Sequence, residues 1–288
     1  MGEQASDLYG LSSLELGSIN HAILKALYDL KQEGLDLNQA IEEGRVQSEV
    51  EAMVERFLAA NRIRSLPVVR KAMIEGIVSK LRTYLDFEIR SPEKAFIGES
   101  TLTEIPFSIS LRNMADILSK TAQKYGDMVF GGRIDRIDLN VTEAGKGKGK
   151  KKQESKIYDM VLSDYKSGSG GEWDQLKLYT LALLFLDLEG LPKSPALIRS
   201  FFRIIKDGSI SLKLDTFPNE DRMEMQSQGK KTLTFEDIDR ELLATLDRIF
   251  EERIFLPGSA IDDGTVKCFF CDLKPNCQGL LDQRWGTQ

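Results

Sequence analysis

The sequence contains one histidine, three cysteines and two tryptophans among its 288 residues, and it has no long hydrophobic run. No apolar stretch approaches the roughly 20 residues that a membrane-spanning helix needs. The N-terminus also lacks the basic and apolar regions of a secretory signal. We therefore expect a cytoplasmic protein with no membrane partner.

A nucleotide-binding motor and a general surplus of basic charge are missing as well. No Gly-x-x-x-x-Gly-Lys-Ser/Thr motif occurs, so this chain by itself has no ATP-driven motor. The net charge is −6, whereas a protein that coats nucleic acid carries a basic patch or stripe. Six lysines fall within residues 144–156, which read as a flexible, self-repelling hairpin tip more than as a DNA-binding element. Any contact with DNA is thus expected in a groove or from a partner subunit.

Hydrophobic spacing predicts an α/β fold with a small mixed sheet flanked by helices. The N-terminal third reads as helical, because apolar residues recur there at steps of three and four. We expect an antiparallel hairpin after it, and then a crossover to a parallel strand through a helix. The predicted helices are 14–33, 38–60, 67–88, 173–188 and 235–252, and the predicted strands are 102–110, 128–140, 157–166, 196–205 and 210–214.

The tripeptide Asp164-Tyr165-Lys166 ends a predicted strand and is the strongest chemical signal in the chain. Strand alternation places Asp164 and Lys166 on one face and Tyr165 on the other. If Asp135 converges there from the neighbouring strand, two hard oxygen ligands suited to Mg²⁺ or Mn²⁺ lie beside a fixed positive charge. Such a site fits metal-assisted cleavage of a phosphodiester. Asp138 must face away from Asp135 in a regular strand, so it is expected to pair with a neighbouring arginine.

Three further polar residues are candidates for the same site. Gln175 and Tyr179 are four apart on a predicted helix and share a face that can line the groove. His21 lies on the first predicted helix. A lone helical histidine is usually a packing or surface residue, but imidazole is a good ligand for Mn²⁺ or for mixed nitrogen and oxygen sites.

The three cysteines, Cys268, Cys271 and Cys277, lie close together near the end of the sequence. An odd, tightly spaced set suggests metal ligation more than a disulfide framework. A zinc site with one further ligand is one alternative, and three reduced cysteines in a loosely ordered tail are another.

Five short motifs follow one another over roughly residues 15 to 180. They are Gly17-x-x-x-His21, Glu104 within Thr103-Glu104-Ile105-Pro106-Phe107, Gly132-x-x-Asp135-Arg136-Ile137-Asp138, Asp164-Tyr165-Lys166, and Gln175-Leu-x-x-Tyr179. In this order they resemble the nuclease domain of the RecB and AddB helicase–nuclease proteins, within the PD-(D/E)xK superfamily. The resemblance implies a restriction-endonuclease-like core in a single nuclease domain over 1–288, with a helical region over 1–100, a core over 101–255 and a cysteine-bearing tail over 256–288.

The resemblance also implies a role for each motif residue. It makes His21, Asp135 and Asp164 ligands of Mg²⁺ or Mn²⁺, helped by the Tyr165 carbonyl. Lys166 would orient or activate the attacking water and steady the charge of the developing phosphorane. Gln175 and Tyr179 would position the DNA or support the metal ligands. Glu104 would also belong to the site, or would instead pair structurally with an arginine.

The spacing Cys-x₂-Cys-x₅-Cys is similar to the iron–sulfur staple of the AddB-type branch. There, one cysteine before the His helix completes the set that holds a [4Fe–4S] cluster. This sequence has no fourth cysteine, and the missing ligand would fall before Met1. We therefore expect a domain taken from a longer protein, or a cluster that has been lost or has a non-protein fourth ligand.

The implied function is metal-dependent hydrolysis of DNA, as an exonuclease on single-stranded ends within a helicase–nuclease protein of recombination and repair. DNA and a helicase or helicase–nuclease subunit would be the partners. Two alternatives remain open at this point. The chain can be a catalytically inactive nuclease-like scaffold that binds DNA or a partner subunit, or a structural zinc or iron–sulfur module whose carboxylates form only surface pairs.

Overall fold

The computed structural model describes residues 13–60, 66–91, 98, 100–143, 156–167, 173–187, 191, 195–225 and 231–250. The predicted Lys-Gly hairpin tip and the cysteine-bearing tail lie outside these residues, apart from Lys156. Seven α-helices are described: α1 Ser13–Gln32, α2 Leu37–Glu42, α3 Arg45–Ala60, α4 Pro67–Arg90, α5 Ser119–Tyr125, α6 Trp173–Phe185 and α7 Phe235–Phe250. Seven strands are described: β1 Ser100–Ser110, β2 Val129–Glu143, β3 Lys156–Lys166, β4 Leu197–Ile204, β5 Ile210–Phe217, β6 Arg222–Met225 and β7 Lys231–Thr234.

The predicted single helix over 38–60 is wrong, because two helices occupy this stretch. Asp36 caps α2, since its carboxylate accepts hydrogen bonds from the backbone amides of Asn38 and Gln39. Gly44, between the two helices, has a φ of +73°. A left-handed residue cannot continue a right-handed helix, and glycine adopts this conformation without steric cost. The chain therefore turns at Gly44 before α3 begins.

The strands form one mixed sheet in the order β1-β2-β3-β4-β5-β6-β7. β2 and β3 pair antiparallel as the predicted hairpin. β3 and β4 pair in parallel, and α6 lies in the crossover between them, which confirms the predicted topology. The short elements α5, β6 and β7 were not predicted. Among the described residues, no helix combines the length and hydropathy that crossing a bilayer requires.

The sheet separates two apolar cores. One core lies between the sheet and the helices α6 and α7, and it contains Leu162 of β3 and Leu176 of α6. The other lies within the N-terminal helices and includes Tyr165 of β3. Tyr165 therefore points to the opposite side from Leu162, as the alternation predicts. Residues at the end of β3 can contact both the helical region and α6.

Candidate active site

The predicted site residues come together where α1, β1, β2 and β3 meet. The pairing of β1 with β2 joins Thr103 to Arg136 and Ile105 to Ile134. Glu104 and Asp135 therefore face each other between those two pairs. At this end of the sheet, the last paired residues of β2 and β3 are Arg136 and Ser163. Asp135 and Asp164 lie directly beyond that pair, one on each strand.

Strand β1 changes face at Glu104. Before it, the Thr103 hydroxyl donates to Asp29 Oδ1 of α1 at 3.1 Å. After it, Ile105 and Phe107 pack into the core beneath α6. Residues two apart normally share a face, and the exception coincides with a φ of +52° at Glu104. Few non-glycine residues adopt a positive φ, and such strain concentrates at functional sites.

Strand β2 changes face at the same level. Ile134 lies in the core beneath α6, whereas Arg136 donates to Tyr28 of α1 on the helical side. Ile137, only three residues after Ile134, is again in the α6 core. The two strands keep their register through the irregularity, which places Asp135 and Glu104 next to α1.

His21, Glu104 and Asp135 form a compact group of possible metal ligands, with one atom from each residue within 4.8 Å of the others. His21 Nδ1 lies 3.3 Å from Asp135 Oδ1 and 3.6 Å from Glu104 Oε1. Asp135 is buried and the other two are partly buried. A nitrogen and two carboxylates on three separate elements form a mixed nitrogen and oxygen donor set of the kind that transition and hard divalent cations accept.

The electrostatics of this group favour positive charge at His21. Burial lowers the pKa of His21, but hydrogen bonds to Asp135 and Glu104 outweigh it and raise the pKa from 6.5 to about 10. The hydrogen bond with His21 in turn lowers the pKa of Glu104 against the opposing effect of burial. Two carboxylates here therefore attract a cation strongly enough to keep an imidazole protonated when no other cation is bound.

The backbone of Tyr165 contacts both ends of this group. Its carbonyl oxygen is 3.3 Å from His21 Nε2, the ring nitrogen on the far side from the carboxylates. Its amide donates to Asp135 Oδ2 at 2.7 Å. The predicted convergence of Asp135 with the Asp164-Tyr165-Lys166 tripeptide is thus present as a direct contact.

Asp164 and Lys166 form a second cluster beside the first, facing α6. Lys166 Nζ lies 2.6 Å from Asp164 Oδ2 and donates to Gln175 Oε1 at 3.1 Å. Gln175 Nε2 approaches Asp164 Oδ1 at 3.3 Å and the Tyr179 hydroxyl at 3.2 Å. All four motif residues are therefore connected. Burial and then Asp135 raise the pKa of Asp164 from 3.8 to about 6, although Lys166 acts in the opposite direction.

The arginine partners expected from the sequence are also present. Arg133 Nη1 lies 3.3 Å from Glu104 Oε2, so Glu104 contacts an arginine as well as His21. Asp138 binds Arg136 through two contacts, of 2.9 Å and 2.6 Å. Both residues of this second pair are fully buried on the helical side of the sheet. The predicted arginine partner of Asp138 is therefore present, but the prediction that Asp138 faces away from Asp135 is wrong, because the change of face in β2 puts both carboxylates on the helical side.

Sequence reasoning missed a buried polar network on the helical side of the sheet. Its additional members are Tyr28, Tyr84, Glu88 and Arg203, all of which are fully buried. The signals in the sequence were the charges Arg136 and Asp138 between apolar residues of β2, and Arg203 between Phe202 and Ile204 of β4. The two tyrosines and Glu88 occupy positions on α1 and α4 that fit an ordinary amphipathic helix.

Aromatic rings pack on the α6 side of the site. The Phe107 ring packs edge-on against the Tyr179 ring, with 5.7 Å between the ring centroids. It also packs at a tilt against the Phe130 ring, with 5.1 Å between the centroids. Gly132 lies against them, and a Cβ there would be 2.8 Å from Phe107 Cζ and 3.4 Å from Tyr179 Cε1. Glycine is required at this position because the rings occupy the space of a side chain. The packing holds Tyr179 next to Gln175.

The cysteines Cys268, Cys271 and Cys277 lie outside the described residues, so the predicted iron–sulfur or zinc site stays a prediction. A comparison with curated proteins finds no match to the chain. A family model described as the PD-(D/E)XK nuclease superfamily matches residues 3–278, nearly the whole sequence. The mixed sheet flanked by helices is consistent with the restriction-endonuclease-like fold of that superfamily. The chain belongs to the PD-(D/E)XK nuclease superfamily.

Proposed function

We propose that this chain is a deoxyribonuclease that uses Mg²⁺ or Mn²⁺ to hydrolyse phosphodiester bonds at the site around Asp135 and Asp164. The observation that carries the proposal is the group His21–Glu104–Asp135 beside the ion pair Asp164–Lys166, in a chain of a nuclease superfamily. A metal-binding donor set next to an ammonium group is the arrangement that phosphodiester hydrolysis needs.

The residues present fit a divalent metal ion. In our proposal His21 Nδ1, Asp135 and Glu104 are ligands, and the metal replaces the proton that the two carboxylates otherwise hold on the imidazole. His21 Nε2 then carries the ring proton and donates to the Tyr165 carbonyl at 3.3 Å. Histidine ligands commonly donate their second ring nitrogen in this way, which fixes the tautomer and the ring orientation.

Asp164 is proposed as a further ligand. It is buried, and the nearby Asp135 carboxylate contributes to raising its pKa to about 6. A cation shared by the two carboxylates relieves this repulsion. The Tyr165 carbonyl lies next to His21 Nε2, on the side of the ring away from the carboxylates, so in this proposal it orients the imidazole. Its role as a direct metal ligand stays a prediction.

The bound cation would supply a Lewis acid for the phosphoryl oxygen and a water molecule of lowered pKa. Lys166 would hold the attacking water and stabilise the charge that develops on the phosphorane. Gln175 bridges Lys166 and Asp164, so it would fix the position of the ammonium group. Tyr179 supports Gln175 from the next turn of α6.

We further propose that the substrate is a single-stranded DNA end, degraded exonucleolytically within a helicase–nuclease protein of recombination and repair. The order of the five motifs, which resembles RecB and AddB nuclease domains, supports this. The net charge of −6 and the absence of a phosphate-binding loop motif fit a chain that depends on a helicase partner for its hold on DNA. A [4Fe–4S] cluster on Cys268, Cys271 and Cys277 belongs to the same proposal.

The proposal is tested with end-labelled single-stranded and double-stranded DNA in the presence of Mg²⁺, Mn²⁺ or EDTA. We expect metal-dependent cleavage that releases short products from the ends of single strands, and no cleavage by Asp164→Ala. Products from the interior of a circular single strand would contradict the exonuclease assignment. DNA binding without cleavage would instead support the inactive scaffold.

The cysteine cluster is tested separately, by metal analysis and visible absorbance of protein purified without oxygen. Iron with sulfide and a broad charge-transfer band would support the cluster. Stoichiometric zinc would support the zinc alternative, and the absence of both metals would indicate reduced cysteines.

A further inference from the structure

A network of ionised and phenolic side chains is buried between the helical region and the sheet. Glu88, Arg136, Asp138 and Arg203 all have 0% exposure. Taking such charges out of water costs several kcal/mol per ion, and well-packed apolar side chains would join the helices to the sheet without that penalty. The network therefore calls for an explanation beyond general stability.

Arg136 is the centre of the network. Its Nη1 donates to the Tyr28 hydroxyl at 2.6 Å and to Glu88 Oε1 at 2.7 Å. Its Nη2 donates to Asp138 Oδ1 at 2.9 Å. One guanidinium group on β2 thus binds directly to α1, through Tyr28, and to α4, through Glu88.

Glu88 closes the network from the helical side. Its carboxylate accepts hydrogen bonds from the hydroxyls of Tyr28 and Tyr84, the second at 2.6 Å. Arg203 of β4 lies 3.6 Å from the same carboxylate. Burial raises the pKa of Glu88, but the two arginines and the two hydroxyls outweigh it and lower the pKa. Glu88 is therefore ionised and fully partnered.

The members of the network neighbour the candidate metal ligands in the chain. Tyr28 follows His21 by seven residues, which is two turns of α1, so the two side chains lie on one face of the helix. Arg136 follows Asp135 directly. The contact between Tyr28 and Arg136 therefore joins the same two elements, α1 and β2, as the contact between His21 and Asp135.

We propose that Tyr28, Glu88 and Arg136 are positioning residues that set the distance between His21 on α1 and Asp135 on β2 for metal binding. This inference rests on the proposed function, because the proposed function assigns His21 and Asp135 as metal ligands. Metal–ligand distances must hold within about 0.2 Å. Directional hydrogen bonds between fixed partners define such a spacing more sharply than apolar contacts, which are non-directional.

The test is the variant Tyr28→Phe, which removes one hydroxyl and leaves Arg136 bound to Glu88 and Asp138. Mn²⁺ affinity is measured by titration calorimetry without DNA, and cleavage is then measured as a function of Mn²⁺ concentration. Loss of a residue that supports a metal ligand typically weakens binding by about 10-fold to 100-fold. We expect a loss in this range, a matching rise in the Mn²⁺ concentration for half-maximal cleavage, and a near-normal kcat at saturating Mn²⁺.

Asp239→Asn is the matched control. Asp239 is 2% exposed, and its carboxylate accepts hydrogen bonds from the amides of Lys120 and Thr121 at the start of α5. It therefore reports the effect of weakening a buried polar contact that does not join α1 to β2. We expect a lower melting temperature and unchanged Mn²⁺ affinity.

The outcomes separate the two proposals. Wild-type protein that neither binds Mn²⁺ nor cleaves DNA overturns the proposed function and this inference with it. Wild-type binding with unchanged affinity in Tyr28→Phe overturns the inference alone, as does an equal loss of affinity in Asp239→Asn. Glu88→Gln provides a second variant, with the same expected direction, in which the carboxylate charge is removed while the shape is kept.

Discussion

The backbone amide of Tyr165 donates a hydrogen bond to Oδ2 of Asp135, across 2.7 Å between neighbouring strands. This bond occupies one carboxylate oxygen and leaves Oδ1 facing His21 at 3.3 Å. The orientation of Asp135 is therefore set by the strand that carries Asp164 and Lys166. A change at Asp135 consequently has two separable effects, one on charge and one on an acceptor for the Tyr165 amide.

The variants Asp135→Asn and Asp135→Ala separate these effects. Asparagine keeps an acceptor for the amide but removes the charge, so we expect lost cleavage and weakened Mn²⁺ binding at a similar melting temperature. Alanine also leaves the buried amide unsatisfied, which costs about 1–3 kcal/mol. Thermal unfolding and Mn²⁺ titration of both variants check this. Cleavage by Asp135→Asn at the wild-type rate would exclude Asp135 as an essential ligand.

Lys166→Ala should lower kcat more than it lowers DNA affinity. Removing one group that stabilises transition-state charge typically costs about 100-fold or more in kcat, whereas a DNA-binding lysine would affect both quantities. The measurement is single-turnover cleavage alongside DNA binding in Ca²⁺. Lys177→Ala is the control, because Lys177 of α6 is likewise a paired lysine, but its partners Asp174 and Glu241 lie away from the candidate site. Equal losses of kcat and DNA affinity in Lys166→Ala would contradict its assignment.

Gly132→Ala should impair cleavage through Tyr179. The added Cβ would lie 2.8 Å from Phe107 Cζ, so the Phe107 ring must move. Phe107 packs edge-on against Tyr179, and the Tyr179 hydroxyl contacts Gln175. Gly131→Ala is the matched control, because its Cβ would only meet the Phe107 carbonyl oxygen at 3.4 Å. We expect slower cleavage in the first variant and near-normal cleavage in the second, measured at equal folded fraction. Equal rates in the two variants would show that Tyr179 tolerates displacement.

Alkaline pH should destabilise the protein through its buried tyrosines. Burial raises the pKa of Tyr165 from 10.0 to about 12 and the pKa values of Tyr28 and Tyr84 well above 10.0. The unfolded chain loses these protons at a lower pH than the folded protein does. The stabilisation that the buried, protonated tyrosines contribute is therefore fully present below pH 10, and the free energy of unfolding falls between pH 10 and 12. Denaturant unfolding across this range measures the slope. Tyr28→Phe should give a shallower slope, and an unchanged slope would contradict the contribution of Tyr28.

Much of the fold was predictable because it follows from regular spacing. The apolar positions of α1 recur at steps of three and four, and the hairpin of β2 with β3 and the crossover through α6 follow from alternating strand and helix patterns. The break at Gly44 was missed because a single glycine inside a helical pattern is often tolerated. The strands β6 and β7 have four residues each, too few for periodicity to show.

The candidate site was only partly predictable. Side chains in short motifs, such as Asp164 and Lys166, were found because each motif is local. The change of face at Glu104 could not be predicted, since nothing in Thr103-Glu104-Ile105 signals a positive φ. Glu88 looked like an ordinary residue of a long helix, and its burial depends on Arg136, which lies 48 positions further along the chain.

The proposed ligands come from both sides of the sheet, because His21 lies on α1 of the helical region and the Asp164 side chain faces α6. A growing polypeptide makes His21 well before Asp164 and Lys166, which flank a residue 144 positions further along the chain. In the proposed mechanism, neither half of the ligand set suffices alone. Cleavage at this site would therefore begin only after both cores have docked, and an incomplete or misfolded chain would leave the nucleic acid around it intact.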